Sequence, residues 1–149
     1  MSEKNFWNLI RNNLDLKMYR VENRVSSGMP DVHYVSENGS GWIELKYIPE
    51  FPLKGKMKTG IRQSQYLWHE MYKRHGGKSW VLVRVGRRGV ILVKGGVLRE
   101  VAKGISVSDV IDKSSWSHMG NLEKQDWENL KGVINGKDEE NFRDIGEGK

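Results

Sequence analysis

The stretch from Ser26 to Tyr47, SSGMPDVHYVSENGSGWIELKY, decides how the rest of the chain is read. Two strand-like runs, DVHYVSE from residue 31 and SGWIELKYI from residue 40, flank Asn38-Gly39. Asn-Gly between alternating runs is the strongest short-range signal for a tight hairpin, because a type I′ turn needs positive φ at both central positions. With Asn38 and Gly39 as the turn, Glu37 pairs with Ser40, Val35 with Trp42, His33 with Glu44 and Asp31 with Lys46. Side chains alternate across a strand, so Asp31, Glu44 and Lys46 fall on one face. The other face collects Val32, Tyr34, Ile43 and Leu45 and is expected to be the core side. Two carboxylates held close together repel each other at neutral pH unless a cation lies between them. A hard divalent ion such as Mg²⁺, which prefers oxygen ligands, meets that need.

The surroundings of the hairpin give the setting. At 149 residues the chain is the size of one domain and long enough to bury a core without disulfides or a structural metal. It has no cysteine, which excludes a disulfide framework and a thiolate zinc site, and its four histidines are scattered. No run reaches the roughly 18 apolar residues of a membrane span, and the amino-terminal residues lack the apolar run of a signal peptide. The expected location is the cytoplasm, the host's if the chain is phage-encoded. Net charge is +6 and uneven: residues 113–149 hold 6 Lys/Arg against 8 Asp/Glu, which leaves 19 against 11, or +8, in residues 1–112. A basic body favours a polyanionic partner through counterion release, with nucleic acid the leading candidate.

Outward from the hairpin, the elements follow in a readable order. Ser2 is placed to cap a first helix carrying Phe6, Trp7, Ile10 and Leu14 at helical spacing and ending near Lys17. MYRVENRV, residues 18–25, alternates as a strand. After a basic loop, IRQSQYLWHEMYKRHGG predicts a helix with Tyr66, Leu67, Met71 and His75 near one face, ended by Gly76-Gly77. KSWVLVRVG and GVILVKGG predict two strands joined across Arg87-Arg88. SVSDVIDKSSW holds a short helix, and NLEKQDWENLKGVI a second with Leu122, Trp127, Leu130 and Ile134 at rough helical spacing. The expected fold class is α/β, a mixed central sheet flanked by helices. Residues 1–112 are expected to form its core and residues 113–149 a helical extension and polar tail of the same domain.

The chemistry of the triplet is specific in kind. A metal held by Asp31 and Glu44 can activate water and polarise a phosphoryl oxygen, while the Lys46 ammonium orients that water or neutralises developing charge. Phosphodiester hydrolysis combines these parts. An isolated Glu-x-Lys is usually an ordinary solvated pair, but Gly-x-Pro-Asp, a hairpin and Glu-x-Lys together form a narrower signal.

Four motifs now carry a resemblance: Gly28-Met29-Pro30-Asp31, Trp42-Ile43-Glu44-Leu45-Lys46, Arg62-Gln63-Ser64-Gln65 opening a helix, and Gly76-Gly77 before the strand WVLVRV. Over roughly residues 18–95 the chain resembles the PD-(D/E)XK nuclease superfamily, within it the VRR-NUC-like and Holliday-junction-resolvase-like nucleases common in phages. The resemblance implies a restriction-endonuclease-like core, Mg²⁺ or its substitute Mn²⁺ bound by Asp31 and Glu44 with the carbonyl of Leu45, and Lys46 assisting the attacking water. It implies that Gln65 supports the site, with Gln63 as the fallback if the helix register turns Gln65 outward. A further acid is usual in such sites: Glu22, nine positions before Asp31, is preferred, and Glu3 in the first helix is the alternative. His33, on the same face, is read as a polar neighbour and not a ligand.

Beyond the metal site, Lys54, Lys56, Lys58, Arg62, Arg87 and Arg88 are the expected DNA-contacting residues. Trp68, Trp80, Trp116 and Trp127 could stack on a splayed base, with core packing the default. The expected activity is a Mg²⁺-dependent DNA endonuclease, structure-specific on branched DNA. A sequence-specific restriction or homing enzyme shares its chemistry, and a non-catalytic DNA-binding module shares its fold. A junction enzyme of this size would act as a homodimer, and the apolar residues after 113 or the first helix are the expected interface.

Overall fold

The structure, a computed structural model, describes residues 2–21 and 28–136. Helix α1 (Glu3–Asn13) opens as its sequence predicts, with the Ser2 hydroxyl accepting from the Asn5 N–H at 3.3 Å, and buries Phe6, Trp7 and Ile10. It ends four residues before Lys17, because Leu14 turns extended and strand β1 (Lys17–Arg20) already begins there. β1 pairs antiparallel with β2 (Val32–Ser36), and the Val21 N–H donates to the Asp31 carbonyl at 2.8 Å. The expected strand over 18–25 is thus described only in its first part, and Glu22 lies outside the described residues.

β2 and β3 (Gly39–Ile48) form the expected hairpin, with a corrected turn. Ser36 pairs with Gly39 and Val32 with Ile43, so the turn residues are Glu37 and Asn38. No described non-glycine residue takes positive φ, and Gly39 alone supplies it here, at +127°. The positive φ that Asn-Gly promised therefore falls at the end of the turn, and every pair slides by two residues. An even slide leaves each side chain on its expected face. Val32, Tyr34, Ile43 and Leu45 are all buried as expected.

After β3 come β4 (Lys56–Met57), α2 (Gln63–Arg74), β5 (Ser79–Val85) and β6 (Gly89–Lys94). A short 3₁₀ turn then leads into α3 (Leu98–Ala102), β7 (Ile105–Ser106), α4 (Val107–Lys113), β8 (Trp116–Met119) and α5 (Lys124–Asn135). The main sheet runs β1-β2-β3-β5-β6-β8. Only β3 and β5 pair parallel, and α2 is their crossover, as a parallel connection requires. β4 and β7 form a separate two-stranded ribbon. One sheet face packs Tyr34, Leu45 and Leu82 against α1 and α5. The other packs Val81, Val83, Ile91 and Val93 against Leu98, Val101 and Val110 of α3 and α4.

Three expectations change in this frame. α2 does not bury the stripe of Tyr66, Leu67, Met71 and His75: Leu67 and His75 are exposed, and the buried residues are Gln65 and His69. The helix covers the acid-bearing side of β3, so the residues it turns toward the sheet are polar. The core is also not confined to residues 1–112, because β8 extends the main sheet and α5 buries Trp127, Leu130 and Ile134. Those side chains are therefore not a free interface, and neither are Phe6, Trp7 and Ile10. Among the tryptophans, Trp80 and Trp127 are core residues, and the Trp80 indole donates to the Tyr34 hydroxyl at 3.1 Å.

Candidate active site

Three segments converge on the acid-bearing face of β3. The slid register of β2 and β3, extended by one position beyond Val32–Ile43, sets Asp31 level with Glu44, where the sequence had set it level with Lys46. Asp31 Oδ1 accepts the Leu45 N–H at 3.2 Å, which ties the aspartate to the strand that carries Glu44. Gly28 brings the Gly-x-Pro-Asp segment against the first turn of α2. Its φ is +84°, and a Cβ there would overlap the Ser64 carbonyl, so only glycine fits.

Glu44 is 6% exposed, and its Oε2 has no hydrogen-bond partner. Burial, then the charge of Asp31, push its carboxyl up to about 8, against the opposing pull of the Lys46 ammonium. Burial also raises Asp31, opposed by the Leu45 N–H and the Arg20 charge. Glu44 is thus largely protonated at neutral pH in the free protein, because the Lys46 and Arg62 charges do not offset its burial and its open oxygen has no hydrogen-bond donor among the described residues. This is the donor chemistry of a hard-cation site. Among the described residues no cluster of three or more histidines, cysteines or acids completes a site from side chains alone.

Glu3, the alternative further acid, and Arg20, which the sequence did not single out, both act on the acids electrostatically. The Glu3 charge raises both Asp31 and Glu44, which puts the start of α1 within electrostatic reach of the pair. Glu22, the preferred further acid, lies outside the described residues. Arg62 lowers Glu44 and sits at the mouth of α2. Gln65 points inward and is 4% exposed, while Gln63 is exposed, so the preferred register of the helix holds. Its Oε1 accepts the Arg62 N–H at 2.9 Å, so Gln65 closes the first turn of its own helix beside the acids.

His33 faces the same side as the acids and packs its ring on Trp42, centroids 4.8 Å apart. The run of rings continues edge-on from Trp42 to Trp68 and stacked from Trp68 to Tyr72. Of the expected DNA-contacting residues, Lys54, Arg87 and Arg88 line one open groove, and Lys56 and Lys58 line another on the far side of the 49–53 loop. These grooves adjoin Ile48, the last residue of the strand that carries Glu44 and Lys46.

The six-stranded mixed sheet with helices on both faces is a restriction-endonuclease-like fold. No protein-family model and no curated protein matches the chain. Among solved structures it is similar to Hjc, a Holliday junction resolvase from the archaeal hyperthermophile Archaeoglobus fulgidus. The two share 17% identity and a TM-score of 0.52, over 75% of this chain and 90% of that one. At that identity the likeness establishes the fold. No described helix is long and apolar enough to cross a membrane.

Proposed function

We propose that the chain is a metal-dependent endonuclease of the PD-(D/E)XK type, acting on branched DNA in the manner of a Holliday junction resolvase. The observation that carries this reading is the buried, unpartnered Oε2 of Glu44 beside Asp31, two residues from Lys46, on a resolvase-like fold. A non-catalytic module has no use for a carboxyl held where its charge is unfavourable. The fold alone does not require that cost.

Asp31 and Glu44 are the residues that would hold Mg²⁺, or Mn²⁺ in its place, with the Leu45 carbonyl and a third carboxylate from Glu3 or Glu22. The bound ion would supply an activated water and a counter-charge for the phosphate. The chain's own groups do the rest. Leu45 N–H fixes the Asp31 carboxylate, and Gln65 holds the opening of α2 over the site. The Lys46 ammonium, already felt by Glu44, would orient the attacking water and offset charge on the scissile phosphate. Paired cuts on opposing strands of a four-way junction require two such sites, so a resolving enzyme of this kind would act as a C₂ homodimer. The exposed large apolar residues among those described are Tyr19, Val35, Leu53, Leu67 and Met119, of which Met119 falls in the stretch after residue 113 expected as the interface and none falls in α1.

The test is cleavage of four-way junction, flap, nicked and linear DNA with Mg²⁺ by the wild type and by Asp31→Ala, Glu44→Gln and Lys46→Ala. Mg²⁺-dependent cuts near the branch that all three variants lose are expected. Wild-type-like cleavage by Asp31→Ala refutes the assignment.

A further inference from the structure

The loop leaving the active-site strand carries an apolar residue that hydrolysis does not use. Leu53 is 103% exposed, against 52% for Tyr19 and 44% for Leu67. Single exposed leucines are ordinary; the setting of this one is not. Pro49 and Pro52 restrict the backbone leading up to it. Leu53 stands in the wall of a groove of about 830 Å³, beside Lys54, Arg87 and Arg88. A second groove, of about 290 Å³ with Lys56 and Lys58, shares Pro49, Glu50 and Pro52 of the same loop. Glu50 is the single acid in either lining, so five cations face one carboxylate.

The first groove is built, not merely open. The Gly86 N–H donates to the Ile48 carbonyl at 2.8 Å, and Arg84 Nε donates to the Gly86 carbonyl at 2.9 Å. A Cβ on Gly86 would overlap the Pro49 carbonyl, so the β5–β6 turn sits directly on the first residue of the loop. An exposed apolar tip on the wall of one basic channel, with a second basic channel on the same loop, matches the chemistry of a side chain that enters a base step while phosphates run alongside.

We propose that Leu53 is a wedge that enters nucleic acid at a branch point, with the two diverging strands led into the two basic grooves. The inference rests on the nuclease reading and deepens it by assigning branch recognition to a residue. Opening an intact step costs stacking that a branch point has already lost, so the wedge favours branched over linear duplex. Ile48 lies four residues beyond Glu44, roughly 13 Å along the strand, so cuts are expected within a few nucleotides of the branch.

The experiment measures binding in EDTA to a four-way junction and to linear duplex, each with 2-aminopurine at the central step, for the wild type, Leu53→Ser and Leu53→Met. Leu53→Ser is expected to bind linear duplex as the wild type does, to bind the junction about tenfold more weakly, and to lose the fluorescence rise at the branch; Leu53→Met keeps all three. Equal weakening on both DNAs, or an unchanged fluorescence rise in Leu53→Ser, overturns the wedge. Cleavage separates the two readings. A wild type that binds branches through Leu53 but never cuts supports the wedge and refutes only the nuclease reading. One that cuts, with junction affinity indifferent to Leu53, refutes only the wedge.

Discussion

Glu44→Gln should make the metal-free protein more stable while ending cleavage. Folded Glu44 keeps its proton up to about 8, whereas in the unfolded chain it loses it near 4.5. Between those values the folded state binds more protons, so stability falls as pH rises. At 1.36 kcal/mol per pH unit the full interval amounts to about 5 kcal/mol, and about 3 kcal/mol by pH 7. His69 acts in the opposite direction. Burial lowers its imidazole from 6.5 to about 4, so its contribution is lost as pH falls through that interval. The two slopes oppose each other between 4.5 and 6.5, and above 6.5 only that of Glu44 remains. Wild type in EDTA should therefore lose about 2 kcal/mol between pH 6.5 and 8, a loss Glu44→Gln does not share. Glutamine keeps the shape and one unpartnered polar atom, so the difference isolates the charge. Urea unfolding followed by tryptophan fluorescence at several pH values measures it. Mg²⁺ at a hundredfold excess over its dissociation constant should return about 2.7 kcal/mol to the wild type and nothing to the variant. Parallel pH profiles for the two proteins would refute the reasoning.

Metal binding to the wild type at pH 7 should release close to one proton per ion, because Glu44 must ionise first; calorimetry in two buffers of different ionisation enthalpy reads this directly. Gly28→Ala should cost at least about 2 kcal/mol in urea unfolding and depress cleavage as well, since a Cβ there displaces the start of α2 from Asp31. Replacing Arg87 and Arg88 together by alanine should reduce the salt slope of DNA binding by about 2, measured by fluorescence anisotropy, and leave thermal stability unchanged because both are exposed.

The hairpin, its two faces, the crossover helix and the β5–β6 pair were legible because each rests on local periodicity. What escaped had weaker local signals. β8 is four residues, WSHM, without alternation, and becomes a strand only because β6 offers an edge to pair with. α3 is five residues following a glycine pair. The buried side of α2 was misjudged because an apolar stripe was sought there, while the strand beneath carries a carboxylate and the helix answers with Gln65 and His69. The His69 imidazole meets Ser79 Oγ at 2.7 Å, a pairing ten residues apart that no short-range pattern announces. Arg20, whose charge reaches Asp31, was not foreseen, because its own neighbours in sequence say nothing of what lies across from β1.

The turn error was harmless to the site, for a reason that bears on the mechanism. Moving the turn from Asn38-Gly39 to Glu37-Asn38 changes every partner but not one facing, so Asp31, Glu44 and Lys46 stay together. What the slide changes is proximity: Asp31 comes level with Glu44 and its charge opposes ionisation there, while the Lys46 charge acts on Glu44 and the Arg20 charge on Asp31. With α2 closed over them by the Gln65 cap and the Gly28 contact, the acids lose water that would otherwise spread their charge. The fold therefore drives a proton onto Glu44, and in the proposed reading a divalent ion would be the ligand that removes it. Stability, protonation and metal occupancy would then be one linked equilibrium, the metal-free protein being neutral at this position and charging only as the ion binds.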